Sequence, residues 1–377
     1  MHIMNTGVIS MGIKCPIIRE GDDIANIVVD SILAATAIYN NGYDFSNDKP
    51  FFYDINDKDI IGITESVVAR SQGNYATVDE IANDIKRVMG NPEVITLDNC
   101  IYSRNRFAMI LKAIARAAGK KVIIYMPPED EVGNVRSGHK FTGVNYDDYF
   151  KNIVESEGKE CKIYPWRRDY DPIDDKDVIN CCLHNFERSK KINPKVYTLA
   201  DFCKDKCKYG LLGSNKSTEE KLKLFPNYED ALDVCNKVKS LIKERTNKDV
   251  IVCVYGDGCF KDPVGGIWEF ADPVSMPAYT DADIIESTPN EIKIKAFADD
   301  QFKDLTGDEL TEAVKNKILE KDNNLVGNMA SQGTTPRLYR DLLASLMDLT
   351  SGSGDKGTPV VFIKNYFNNF ANDDVIR

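Results

Sequence analysis

Asp257 stands between two glycines at the end of an apolar run, in the stretch VIVCVYGDGCFKDP (residues 250–263). Gly256 and Gly258 permit positive φ and a close backbone approach, and a carboxylate is the hard oxygen donor that Mg²⁺ or Mn²⁺ prefers. Asp262, Glu269 and Asp272 follow nearby. The competing reading is a tight turn in which Asp257 hydrogen-bonds its own backbone. A second loop, SGSGDKG (351–357), combines three glycines with Asp355. Its backbone N–H groups could cradle phosphate, although plain turns share this composition and no helix follows as in a Walker A loop. In a third, GLLGSNKSTEE (210–220), Gly213, Ser214 and Asn215 precede Lys216. Ser217 or Thr218 with the glutamates after them reads as a helix cap. At SRNRFA, Ser103, Arg104 and Arg106 open an amphipathic helix, where N–H groups and the helix dipole favour a carboxylate or phosphate. The alternative for these arginines is a surface salt bridge or a subunit contact.

Other constellations carry less. Cys203 and Cys207, with Cys181, Cys182 and His184, are only loosely spaced for zinc. Three histidines (His2, His139 and His184) give poor support to a Ser-His-Asp triad.

The elements that must position these loops follow from pattern. VIVCVY and DIIGIT read as strands, and GIKCPII as a short apolar run in an N-terminal block of strand pair and helix. Asp22 or Asp23 is placed to cap a helix through IANIVVDSILAATA. EVITL, RFAMILKAIARAAG and KKVIIYM form strand, helix and strand in about thirty residues, the length of a βαβ unit with a parallel pair. A helix and then a strand follow within KFTGVNYDDYFKNIVESEGKECKIYP. A helix is expected near residues 228–246, and another runs from RDLLASLMDLT through the last glycine loop into a strand.

The chain has 377 residues and a net charge of −11, a balance that disfavours a nucleic-acid partner. No run approaches the roughly 18 apolar residues of a membrane span, and the N-terminal residues do not read as a signal peptide. Ten scattered cysteines in such a chain are expected to be reduced and the protein cytoplasmic.

Taken in order, KCPIIREGDDIANIV, DIIGITESVVARSQGN, YGLLGSNKSTEEKLKLFP, VIVCVYGDGCFKDPVGG and LLASLMDLTSGSGDKGTPVVFIKNY resemble the coenzyme F-420-0:L-glutamate ligase family, in a longer bacterial branch. The resemblance implies an α+β fold. A gamma-glutamyl-ligase-like core would comprise residues 1–90 and 207–377, with an α/β subdomain inserted at 91–206. It implies a homodimer and a γ-glutamyl ligase: GTP phosphorylates a substrate carboxylate, and the amine of glutamate attacks the acyl phosphate, with Mg²⁺ or Mn²⁺ at the phosphates. By position, Cys15, Pro16, Ile17, Ile18, Glu65, Ser66 and Asn215 would touch the nucleotide. Arg70 would stand where the family has a lysine. The chain also departs from the family. The positions of metal-binding carboxylates fall at Leu212 and near Val254 and Tyr255, and that of a glutamate falls near Ser353. Either the metal site is rebuilt from Asp257 and Asp355, with Asp262 as a further candidate, or metal-dependent ligation is lost. A binding protein that does not ligate is the alternative function.

Overall fold

The stretch IIGIT is apolar at odd and even positions alike, the pattern of a strand covered on both faces. In the computed structural model it lies at the centre of a five-stranded sheet. The structure describes residues 7–37, 54–130, 133–139, 142–166, 177–181, 191, 195–257, 260–261, 268–269, 274–289, 294–320, 338–351 and 357–368.

The chain opens with β1 (Ile9–Ile13), α1 (Ile24–Ala37), β2 (Ile60–Thr64) and the short α2 (Glu65–Ser71). It continues through β3 (Tyr75–Thr77), α3 (Val78–Met89), β4 (Val94–Asp98), α4 (Arg106–Ala117), β5 (Lys121–Met126), α5 (Tyr146–Ser156) and β6 (Glu160–Pro165). Short strands β7 (Val178–Asn180), β8 (Tyr197–Thr198), β9 (Asn215–Thr218) and β10 (Lys221–Lys223) follow. Then come α6 (Tyr228–Thr246), β11 (Ile251–Asp257), β12 (Phe260–Lys261), β13 (Trp268–Glu269) and β14 (Val274–Tyr279). Helices α7 (Ala282–Ile285), α8 (Ile294–Asp299), α9 (Gly307–Glu320) and α10 (Tyr339–Ser351) lead to β15 (Val360–Lys364). Helices with mixed sheets make this an α+β protein. It forms two compact units, residues 1–71 with 228–377, and residues 72–227.

In the first unit the strand order is β1-β15-β2-β11-β14. Only β2 and β11 run parallel; the other pairs are antiparallel. Alternate residues serve opposite layers. Ile61, Ile63, Val252, Val254 and Phe362 pack with α1 and α6 through Val28, Ile32, Cys235 and Val238. Ile60, Cys253, Tyr255, Val361 and Ile363 pack with Leu343, Ala344 and Met347 of α10. Gly62 lets that helix come close, since a Cβ there would sit 2.4 Å from the Met347 sulfur. Asp23 caps α1, its carboxylate accepting from the N–H of Asn26.

The second unit contains a five-stranded sheet, β6-β5-β4-β7-β8, with every pair parallel. The segment β4–α4–β5 is the expected βαβ, and α5 with β6 repeats the pattern. From β4 the chain steps outward through β5 to β6, then crosses back to β7. The carboxyl ends of β4 and β7 therefore flank a switch point, where open parallel sheets leave a crevice. Helices α3, α4 and α5 bury one core with Ile95, Leu97, Val122 and Ile124. A capping box, Thr77 with Glu80, starts α3 and Gly90 in the left-handed region ends it.

The first strand ends at Ile13, and Lys14–Ile18 is irregular; Pro16 has no N–H to continue a ladder. Two expectations are corrected. Ser217 and Thr218 do not start a helix: Asn215–Thr218 is β9, paired antiparallel with β10. The spacing of Leu222 and Leu224, both fully buried, is the period of a strand. Cys100 is disulfide-bonded, against the reading of reduced thiols throughout, while the seven other described cysteines are free.

Candidate active site

The parallel pairing of β2 with β11 sets Thr64 opposite Tyr255, so Glu65 and Gly256 leave adjacent strands at the same end. Glu65 is 3% exposed. Gly256 is what accommodates it, for a Cβ at residue 256 would lie 2.1 Å from the Glu65 Cγ. Gly256 does not have a positive φ. The glycine supplies room, not the turn geometry expected from the sequence. The backbone of Asp257 is still in the ladder, opposite Val274 beyond a bulge. Gly258, Asp262 and Asp272 lie outside the described residues, as does Asp355.

Two further segments meet this end of the sheet. The N–H of Thr64 donates to the carbonyl of Pro359 at 2.9 Å, which puts the entry to β15 beside Glu65. The Cys15 N–H donates to the carbonyl of Gly357 at 3.4 Å, and the Thr358 hydroxyl to that of Ser351 at 2.7 Å. Cys15–Ile18 thus adjoins the end of the glycine-rich loop. Gly21 donates to the carbonyl of Ser71, which ties the same segment to α2. Ile18 is buried, Cys15 and Ser66 are half-buried, and Pro16, Ile17 and Arg70 are exposed. Burial pushes the Cys15 thiol up, with the Ser31 hydroxyl opposing. Tyr255, which no motif singled out, is buried next to this end; burial pushes its phenol well up, again against a serine hydroxyl, that of Ser351.

The remaining candidates belong to the second unit. Asn215 is half-buried on β9, opposite Lys223 of β10, a lysine only 5% exposed. Arg106 is half-buried and donates through Nη1 to the carbonyl of Leu212 at 3.0 Å. This joins the start of α4 to the loop before Asn215, two motifs that sequence reasoning kept apart. The Ser103 hydroxyl accepts from the N–H groups of Asn105 and Arg106, at 3.2 and 3.0 Å. Arg104 is exposed, and the Tyr149 hydroxyl donates to its carbonyl at 3.5 Å. Burial raises the Tyr146 phenol, with the Arg104 charge opposing. Leu212 is half-buried and Val254 wholly buried in apolar surroundings.

Among the described residues no three His, Cys, Asp or Glu side chains gather as a metal site. The described carboxylate at this end of β2 is that of Glu65, a hard oxygen donor. Such a donor fits Mg²⁺, which commonly takes one or two carboxylates and completes its shell with phosphate and water.

A model of the F420-0:Gamma-glutamyl ligase family matches residues 12–365. The chain belongs to this family. It is therefore a ligase, and the segments that carried the resemblance lie inside the matched range up to Asn365. No curated protein matches the chain. No described helix is long and apolar enough to cross a membrane.

Proposed function

We propose that this ligase joins L-glutamate, or a similar amino acid, to the carboxylate of a small acidic acceptor at the expense of GTP. The observation that carries this reading is the meeting of Cys15–Ile18, Glu65–Ser66 and Gly256–Asp257 at one end of the first unit's sheet. The acceptor carboxylate takes the terminal phosphoryl group, and the amine displaces phosphate from the acyl phosphate to leave an amide. Phosphoryl transfer spreads negative charge over several oxygens, so catalysis consists largely of positioning and of countering that charge. Glu65 and Asp257 would hold Mg²⁺ or Mn²⁺, which supplies positive charge at the phosphates; Asp355 is the second candidate ligand from the sequence. Arg70, exposed on α2 five residues beyond Glu65, contributes a guanidinium to the same phosphates. Cys15–Ile18, Ser66 and Asn215 orient the nucleotide.

Arg104, exposed at the start of α4, receives the acceptor's anionic group with Ser103. Arg106 holds the loop to Asn215 through Leu212. In this reading residues 1–90 and 207–377 form the ligase core, and residues 91–206 are an inserted α/β subdomain. By resemblance the enzyme is a homodimer.

Phosphate release from GTP or ATP, measured with Mg²⁺ or Mn²⁺ across a panel of acidic acceptors, tests the reaction. Release is expected only when an acceptor and glutamate are both present, and Asp257→Asn abolishes it while weakening Mn²⁺ binding. Nucleotide binding without amino-acid-dependent turnover for any acceptor would favour a protein that binds and does not ligate, in line with the apolar residues at Leu212 and Val254.

A further inference from the structure

Tyr255 stands on β11 one residue before Gly256, with its backbone opposite Thr64 and its ring among Cys253, Met276, Leu343 and Met347. It is 1% exposed. Among the described residues its hydroxyl completes no hydrogen bond. Phenylalanine would fill the same space with no polar atom, and a buried donor left unpaired destabilises the folded state. The hydroxyl therefore works against the fold, and a group of that kind calls for a role other than packing. Ser351, the last residue of α10, is the polar neighbour whose hydroxyl acts on the phenol, though without the geometry of a bond. That hydroxyl donates instead to the carbonyl of Asp348 at 3.0 Å, and its oxygen can still accept.

We propose that Tyr255 is a positioning residue for ligation: its hydroxyl donates to the Ser351 Oγ during turnover and so sets the contact between Ser351 and Thr358 against Glu65. The inference rests on the ligation reading above. Ser351 is joined to the catalytic end by its other atoms. Its carbonyl accepts from the Thr358 hydroxyl at 2.7 Å, and Thr358 stands so near Gly12 that a Cβ there would come within 3.0 Å of it. Pro359, next in the chain, accepts from the N–H of Thr64 at 2.9 Å, and Thr64 leads directly into Glu65. Tyr255 thus reaches Glu65 by two routes. Its backbone adjoins the strand that ends at Thr64, and its hydroxyl faces the residue from which the glycine-rich segment departs. Donation from Tyr255 to Ser351, and from Ser351 to the Asp348 carbonyl, makes a two-step chain in which each bond polarises the next. The ring is held by packing, so only the hydroxyl has to turn.

The test pairs urea unfolding of the full chain with steady-state phosphate release from GTP in the presence of Mg²⁺, glutamate and the acidic acceptors of the panel above. Tyr255→Phe is expected to lower kcat about tenfold, the effect of one hydrogen bond, and to leave the KM for glutamate unchanged. The same variant unfolds at an equal or higher urea concentration than the wild type. A merely structural tyrosine would move stability and turnover in the same direction. Ser351→Ala lowers kcat by a similar factor, and the double variant falls no further than either single one, since both remove one bond. Ser351→Thr keeps a hydroxyl and retains turnover. Tyr255→Phe that fails to fold, or unfolds earlier than the wild type, shows a hydroxyl already bonded in the fold and overturns the proposal. Wild-type kcat in Tyr255→Phe overturns it as well, and losses that multiply in the double variant overturn the route through Ser351. A wild type that releases no phosphate with any acceptor overturns the ligation reading itself, and this proposal with it.

Discussion

Strand β2 has a buried carboxylate at each end, Asp59 just before it and Glu65 just after, and the two are housed differently. Asp59, wholly buried, is enclosed by donors. The N–H groups of Asn56 and Asn365 approach at 2.7 and 3.1 Å, and Lys364 Nζ at 3.5 Å. Even so, burial pushes its carboxyl above the usual range, the backbone donors and Lys364 opposing. Glu65 is accommodated by a missing side chain, since Gly256 yields the volume it occupies. The contrast teaches that surrounding donors lock an acid into the fold, whereas vacated volume brings one up against a neighbouring loop.

The largest expected effect is at the locked end. Asp59→Ala strands the Lys364 ammonium, 1% exposed, without its carboxylate, and is expected to cost about 3–5 kcal/mol in urea unfolding. A cost near zero would remove the distinction between the ends. At the other end, Gly256→Ala drives a methyl group into Glu65 and is expected to cost about 1–3 kcal/mol. Adding Glu65→Ala to that variant should recover most of the stability and leave ligation at background. A double variant that ligates normally would show that the volume at Gly256 serves packing alone.

The smallest effect belongs to an exposed acid that calibrates both. Asp23 is held at about 2 by the Lys237 ammonium, with the Asn26 amide and N–H assisting. Its folded value lies below its unfolded one of about 4, so its contribution is present above that pH and lost as pH falls through 2. The side chain is 48% exposed, and solvent screening limits the contribution to under about 1 kcal/mol. Asp23→Asn should flatten the acid limb of the stability profile only slightly, and high salt should shrink even that difference; a large flattening would mean exposed pairs matter here as buried ones do.

Local periodicity made much of the fold legible. β4–α4–β5 could be read because apolar residues switch from strand to helical spacing and back, and β11 because its β-branched run ends at a glycine. SNKST misled because serine, threonine and glutamate serve a helix cap and an exposed hairpin equally well, and only the register with β10 decides. Sheet order was out of reach, since nothing local says that β15 inserts between β1 and β2. The use of Gly256 was hidden for the same reason, as its steric partner Glu65 is brought to it by that pairing. Of the candidate site, local pattern named the segments, and only the resemblance grouped them. Arg106 and Leu212 meet through a backbone carbonyl, an acceptor every residue has and no motif marks.

The pairing of Ile13 with Val360 has a bearing on how the protein is made. β1 is made before the other strands of its sheet and its partner β15 after them, so β1 waits unpaired until residues 360–364 emerge. Residues 72–227 are continuous and rich in neighbouring-strand contacts, and they have what they need to fold while the rest is still emerging. Burial of β2 on both sides comes only with β15, so a nascent chain halted short of residue 360 exposes IIGIT along one edge. Such a chain is a natural client for chaperones and a ready substrate for proteases.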